Sequence, residues 1–278
     1  MLILDASIQF ANRMLNIHYK QMDMHLRRLS SGYRINSAAD DPAGLAVSER
    51  MRTQINGLKQ AQRNILDGIS AYQTAEGGLI EIQSMLQRMN VLAVQAANDT
   101  LDDSDRELIE LEVDELKDEI NRMINSCDFN AKKIFDGSDS ISYLHIGANA
   151  NQTVEFYNSD LSNDVLNLSN VSVSNRESAE SSISILAASL NKVLKERTII
   201  GARINRLEHS YNFAKVMEEN QTAAESRIRD ADFAEEMTAF LKSKILAEAA
   251  QAILIQAMRI QKDYINNLFL SVSPKRGR

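Results

Sequence analysis

LDASIQFANRMLNIHYKQMDMHLRRLSSGY, residues 4–33, carries apolar side chains at Leu4, Ile8, Ala11, Leu15, Tyr19, Met22, Leu26, Leu29 and Tyr33. Steps of three and four draw a single stripe along an α-helix, as narrow as a coiled-coil seam. An isolated rod with so narrow a stripe buries little apolar area against an ordering cost of about 1–2 kcal/mol per residue. Such a rod is expected to order only against a partner. The other end of the chain repeats the pattern: Leu246, Ala249, Ile253, Ala257, Ile260, Tyr264 and Leu268 share one face, and Pro274 stops the helix. Two ends of this kind describe a protein that assembles.

Inward from the first rod, Ser30-Ser31-Gly32 interrupts the stripe, and Asp40-Asp41-Pro42 supplies turn and N-cap chemistry. A second helical pattern passes through Ile55, Leu58, Ile65, Ile69, Tyr72, Leu79, Leu86 and Met89 to about Asn98, a rod of roughly 75 Å at 1.5 Å per residue. Gly77-Gly78 is a candidate bend. Asp102-Asp103-Ser104 makes an acidic helix start, and Ile109, Val113, Leu116, Ile120 and Met123 continue that helix to near Asn125. The period then shortens. Ile134-Phe135, residues 141–146 and residues 153–157 read as β-type runs, the last two forming a hairpin across the loop 147–152. A long helix returns through Ile183, Leu186, Leu190, Val193, Ile200, Ile204, Leu207, Tyr211 and Ala214, interrupted only by Arg197.

The expected fold is mainly α: a long antiparallel coiled-coil bundle with a small β-hairpin element and no large outer domains. Residues 1–31 form a terminal helix, 32–44 a connector and 45–125 the N-terminal part of a helical rod. A β-hairpin and loop element follows at 126–175, the C-terminal helix of the rod at 176–230, and the last helix with a basic tail at 231–278.

Composition narrows the function. Ten Gly and two Pro in 278 residues are too few for an all-β architecture, which needs a turn about every 8–12 residues. A single Cys127 excludes an intramolecular disulfide and a thiolate zinc site, and His18, His25, His145 and His209 are scattered. A net charge of −7 with only short basic clusters argues against nucleic acid. No apolar run approaches the roughly 18 residues of a bilayer span, and the N-terminus lacks the pattern of a secretory signal peptide. Phosphate-binding loops, HExxH, GxSxG and EF-hand loops are absent, so no catalytic, cofactor-binding or metal-ligating residue is assigned. Carboxylate pairs such as Asp102-Asp103 and Glu235-Glu236 read as caps and ion-pair partners. The 11 Met residues read as adaptable seam packing.

The run Leu29-Ser30-Ser31-Gly32-Tyr33-Arg34-Ile35-Asn36-Ser37-Ala38-Ala39-Asp40-Asp41-Pro42-Ala43-Gly44-Leu45-Ala46 resembles the N-terminal signature of bacterial flagellin. Similar stretches follow at Gln73-Thr74-Ala75-Glu76-Gly77, at Leu86-Gln87-Arg88 with Leu92-Ala93-Val94-Gln95, and at Ile146-Gly147-Ala148-Asn149. Near the other end, Glu225-Ser226-Arg227-Ile228-Arg229-Asp230-Ala231-Asp232 and Gln256-Ala257-Met258 resemble the family's C-terminal region. The resemblance implies a filament subunit without enzymatic activity or cofactor. Its terminal helices would form an inner tube, its middle helices and hairpin an outer tube. It also implies export through the flagellar type III apparatus with an export chaperone, and contacts with the filament cap and hook-associated proteins. Membrane insertion and nucleic-acid binding are not implied. The filament would be extracellular, or periplasmic as in spirochaetes, whose short core flagellins this chain resembles in part.

On that basis Leu15, Met22, Leu26, Leu29, Ile253, Ile260 and Leu268 are the expected assembly interface. Arg88, Leu92 and Glu112 match a family surface read by a host innate immune receptor, although Asn90 and Val91 depart from the usual motif there; the plainer reading makes Leu92 seam packing and Arg88 part of an inter-helix ion pair. Both chain ends also depart from the family pattern: Leu2-Ile3-Leu4-Asp5 lacks the common Asn, and Leu268-Phe269-Leu270 is followed by a basic tail. A hook–filament junction protein is the near alternative, and the junction from Arg227 to Asp232 favours flagellin over it. A cytoplasmic coiled-coil adaptor or DNA-binding dimer would need one unbroken seam or a continuous basic helix face, neither of which is present.

Overall fold

The computed structural model describes residues 2–135, 142–156 and 160–272, and 80% of these are helical. Five long helices carry it: α1 (Leu2–Ser31), α2 (Pro42–Ala96), α3 (Asp103–Ser126), α5 (Arg176–Arg229) and α6 (Phe233–Val272). Between α3 and α5 lie β1 (Asp128–Phe129), β2 (Lys132–Lys133), β3 (Ser142–His145), β4 (Thr153–Phe156) and the short α4 (Asn163–Leu166). Two compact units divide the chain: Met1–Arg52 with Gln221–Arg278, and Thr53–Asn220. The divisions fall inside α2 and α5 rather than at the connector 32–44.

Within Thr53–Asn220, contacts between α2 and its neighbours run in opposite directions of numbering. Lys59 pairs with Glu218, and Arg197 bonds to both Glu76 and Gln83. Arg88 meets Glu112 while the Arg106 Nε–H donates to the Ala96 carbonyl. Both α3 and α5 are therefore antiparallel to α2. Two series of buried residues recur every seventh position on α2, one through Leu58, Ile65, Tyr72, Leu79 and Leu86, the other through Ala75, Ile82, Met89 and Ala96. On α5 a matching series runs Ala179, Leu186, Val193, Ile200, Leu207 and Ala214. A strict seven-residue repeat is the pattern of a left-handed coiled coil, and each large side chain fully buried in it contributes roughly 1.5–3 kcal/mol. Arg197, the interruption seen in the sequence, lies beside this seam and donates to Gln83 Oε1 at 2.6 Å.

The reading of Ile134-Phe135 as a strand is corrected. The strand pair lies earlier, Asp128 opposite Lys133 and Phe129 opposite Lys132, closed by Asn130 and Ala131 at φ 53° and 61°. Left-handed conformation at both central residues is the signature of a type I′ turn. Ile134 and Phe135 instead leave the hairpin and plug the core, 4% and 0% exposed. Gly78 makes room for the plug: a Cβ there would stand 3.2 Å from the Phe135 ring. Gly78 thus serves a close approach inside α2, whereas a Cβ at Gly77 would meet nothing within 4 Å.

The second hairpin is where the alternation placed it, with Ser142 opposite Phe156 and His145 opposite Thr153. Residues 141 and 157 of those runs lie outside the described residues. Phe156 stacks on Tyr72 with ring centroids 4.3 Å apart. The segment after β4 is more structured than a loop. Leu161, Leu166, Leu168, Val171 and Val173 are buried through α4 and a 3-10 turn at Leu168–Asn170, and they extend the core.

Asp102 caps α3 as its sequence implied, accepting from Asp105 N–H at 2.8 Å. Arg106, which the sequence did not single out, is buried, and its guanidinium donates to the carbonyls of Ala96 and Asn98, both at 3.1 Å. It satisfies the Ala96 carbonyl, which the end of α2 leaves without a helical partner, and joins Leu101 N–H on the Asn98 carbonyl.

Candidate assembly surface

In the unit formed by Met1–Arg52 and Gln221–Arg278, α1 packs along α6. The seam side of α1 steps through Ala11, Leu15, His18, Met22, His25 and Leu29, all buried or half-buried. On α6 the buried positions are Glu236, Ser243, Ala247 and Ala250, continued by the half-buried Leu254 and Ala257. Small residues dominate that seam. The apolar stripe read from the sequence of α6 lies elsewhere on the helix: Leu246 is 40%, Ile253 59%, Ile260 51% and Tyr264 55% exposed.

The expected interface residues therefore separate into two groups. Leu15, Met22 and Leu29 are half-buried on the seam side of α1, whereas Leu26, Ile253 and Ile260 each expose half or more of their surface. Leu268 lies in α6, but its side chain is outside the described residues, as is the basic tail. The sequence reading missed the Ser243–Ala247–Ala250 seam because short side chains carry little weight in a hydrophobic stripe. Its one signal was their spacing of four and three. Each terminal rod finds one wall in the other, and the large apolar side chains remain on the outside.

Polar contacts fix the α1–α6 register. Glu236 is buried, with Oε2 2.5 Å from His25 Nδ1 and Oε1 2.8 Å from Arg28 Nη1. At the end of α1 the chain turns at Gly32, φ 74°, a conformation that suits glycine. Tyr33 then bridges to Asp230, and the Arg34 N–H donates to the Arg229 carbonyl at 2.7 Å. Arg52 and Arg229 both stand over the Tyr33 ring, 5.5 and 4.9 Å from its centroid. Arg229 also pairs with Glu49, and Arg52 with Glu225 at 3.0 Å. Asp40 accepts from the backbone N–H groups of Asn36 and Ser37, folding the connector on itself. The flagellin-like signature at 29–46 is thus a clamp between the end of α1, the start of α2 and the end of α5.

Burial alone would push the Glu236 carboxyl up, but hydrogen bonds from His25 and Arg28 and their charge hold it below the usual carboxylate range. Backbone hydrogen bonds from Ser37 and Asn36 lower Asp40, and the hydrogen bond from Arg229 lowers Glu49. A depressed folded-state pKa stabilises above the unfolded value, about 4 for a carboxylate, and that contribution is lost as pH falls through the folded value. The α1–α6 pair should therefore loosen below about pH 4. Glu236→Gln should flatten part of that acid slope, read by circular dichroism melts between pH 6 and 3. An unchanged slope would remove Glu236 from the account.

The Arg88, Leu92 and Glu112 set divides as the plainer reading had it. Arg88 and Glu112 form an exposed ion pair at 2.7 Å on α2 and α3, but Leu92 is 2% exposed and belongs to the core. Three residues after Met89 and four before Ala96, it shares their buried face, while its neighbours Val91 and Val94 face outward, 56% and 55% exposed. Among the described residues no cluster of three His, Cys, Asp or Glu side chains could hold a metal ion, and no helix is long and apolar enough to cross a membrane.

Comparison with known proteins fits this architecture. The N-terminal helical region of bacterial flagellin matches residues 6–140, and its C-terminal helical region matches residues 183–268. A flagellin of Halalkalibacterium halodurans is 43% identical over 249 residues, 89% of this chain and 92% of that one. The flagellar filament 30.7 kDa core protein of Treponema maltophilum is 40% identical over 268 residues, 91% of this chain and 94% of that one. Among solved structures, Bacillus cereus flagellin aligns with a TM-score of 0.50 at 29% identity, covering 54% of this chain and 88% of that one. A putative flagellar hook-associated protein from Vibrio parahaemolyticus aligns at 0.59, covering 69% of this chain and 100% of that one; at 17% identity it shares the fold alone. Matches to both helical regions, and identity sustained over most of the length, place this chain in the bacterial flagellin family, the structural subunits of the flagellar filament.

Proposed function

We propose that the chain polymerises by burying the outward stripes of α1 and α6 between neighbouring copies. Leu26, Ile253 and Ile260 make the intersubunit contacts, and Leu15, Met22 and Leu29 hold the helix pair that presents them. Leu268 completes the set. The observation that carries this is the exposure of Ile245, Ile253, Ile260 and Tyr264 on one helix whose buried seam is made largely of small residues. Soluble monomers seldom leave so long an apolar ridge uncovered. The subunit acts by packing and carries no catalytic step.

Flagellins form filaments that are extracellular or, in spirochaetes, periplasmic. The reading for this chain is an extracellular filament reached through type III export, with an export chaperone before assembly and the cap and hook-associated proteins at the filament ends. A periplasmic filament is the second reading, supported by 40% identity to a Treponema core protein. Immunogold labelling of intact cells, compared with cells stripped of any outer membrane, separates the two. Recognition by a host receptor would have to use the Arg88–Glu112 pair and Val91, since Leu92 is buried.

Assembly itself is tested with purified chain and sheared filament seeds. Pelletable filaments should grow from seeds, and a chain lacking residues 1–31 should fail to add. Equal growth of the truncated chain would end the proposal.

A further inference from the structure

A recess of about 330 Å³ lies between β4 and α5 within the unit Thr53–Asn220. That volume is at the small end of the roughly 300–1,000 Å³ of small-molecule sites. Its two walls differ in chemistry. Helix α5 contributes Arg203, Arg206 and Leu207, whose spacing of three and four puts them on one face of the helix. Leu207, 2% exposed, anchors that face in the core. Strand β4 contributes Thr153 and Glu155, both exposed, which alternate with the half-buried Val154 and so share one side of the strand. Tyr143 stands opposite Glu155 in the ladder and is 63% exposed.

Two arginines against one glutamate make the lining cationic in a chain of net charge −7. The Arg203 guanidinium lies over the buried Tyr72 ring, 5.9 Å from its centroid, a seat that fixes its position. The Arg206 guanidinium has no hydrogen-bond or ion-pair partner among the described residues. An arginine fork donates to two oxygens of one oxyanion at once. Glu155 has the opposite preference: its carboxylate repels an anion and accepts from hydroxyl groups. An anionic head therefore belongs against α5 and an uncharged, hydroxylated body against β4, where Thr153 and Tyr143 add hydroxyls of their own.

We propose that this recess binds a small phosphate monoester that carries hydroxyl groups, a sugar or polyol phosphate. Arg206 and Arg203 hold the phosphate, and Glu155, Thr153 and Tyr143 hold the hydroxyls. Two guanidinium groups match a head with three acceptor oxygens and a charge of about −1.5 to −2 at neutral pH. The bound molecule spans β4 and α5 and so ties the second hairpin to the rod. The site draws on no residue of α1 or α6 and stands whether or not the chain polymerises.

The test is calorimetric titration of the dilute full chain with ribose 5-phosphate, ribose and inorganic phosphate. Ribose 5-phosphate should saturate with a Kd of about 1 mM or below, inorganic phosphate should bind about tenfold more weakly, and ribose alone should give no signal. Arg206→Ala should weaken ribose 5-phosphate at least about tenfold, and Arg206→Lys should recover only part of that loss, because an ammonium lacks the planar fork. Arg206 is exposed, so circular dichroism should find both variants folded. Lys195→Ala removes the same charge from an exposed site on α5 outside the recess and should bind as the parent does. No saturable binding of ribose 5-phosphate below about 10 mM would overturn the proposal. Equal losses in Lys195→Ala and Arg206→Ala would overturn it too, since they mark a general attraction of anions to the helix. Inorganic phosphate binding as tightly as ribose 5-phosphate would strike the hydroxyl-binding strand wall from the proposal.

Discussion

Ile253→Asp is expected to abolish filament growth while leaving the soluble chain folded. Ile253 exposes 59% of its surface along α6, whose buried contacts with α1 run through Ser243, Ala247 and Ala250 instead. A carboxylate at that position costs the isolated chain almost nothing. In a filament it must be buried without a partner, a penalty of several kcal/mol, and the roughly 1.5–3 kcal/mol from burying the isoleucine is lost as well. Since about 1.4 kcal/mol is a factor of ten, the critical concentration should rise at least a hundredfold. Leu26→Asp, on the exposed side of α1, should act the same way. Ala250→Asp is the contrasting change, because it places the charge in the α1–α6 seam and should disrupt the monomer itself. Sedimentation after seeding, with circular dichroism of the supernatant, reads all three. Ordinary pelleting of Ile253→Asp would mean that this ridge faces solvent in the polymer.

Phe135→Ala is expected to cost about 3–5 kcal/mol of stability, confined to Thr53–Asn220. Phe135 is fully buried, and Gly78, which it closely approaches, has no side chain to reach into the space the ring would leave. Its backbone is held too, the carbonyl accepting from Leu161 N–H at 3.4 Å. Urea denaturation followed by circular dichroism reads the loss as a lower midpoint. A loss below about 1 kcal/mol would show that the site collapses around the missing ring.

The helices were legible because long helices announce themselves by period. Steps of three and four from Leu4 to Tyr33 gave α1, and the series from Ile183 to Ala214 gave the body of α5. The caps were legible for a related reason: Asp102 is an N-cap by chemistry and proved to be one by geometry. What period could not supply was the direction of each stripe. On α6 the large residues suggested a seam, but the helix pairs through Ser243, Ala247 and Ala250 and leaves Ile253 and Ile260 outside. Leu92 shows the converse: a motif match set it on a surface, but it lies on the buried face between Met89 and Ala96, as the seam-packing reading had it. The β segment was read two residues too late at Ile134-Phe135, where burial and strand propensity look alike over two residues. The partners of Glu236 and Arg106 were invisible because they are distant, 211 and 208 residues away for His25 and Arg28, or are backbone carbonyls that no sequence pattern marks.

The sevenfold spacing of buried side chains on α2 and α5 also restricts where this chain can change length. Losing one residue from the middle of α5 would swing every later position by about 100°, sending Leu207 and Ala214 to solvent and drawing polar neighbours inward. Gains or losses of whole heptads on one rod alone would leave the opposite rod without matching rungs. The stretch between α3 and α5 carries no such series, so a segment added within one of its turns shifts no heptad position.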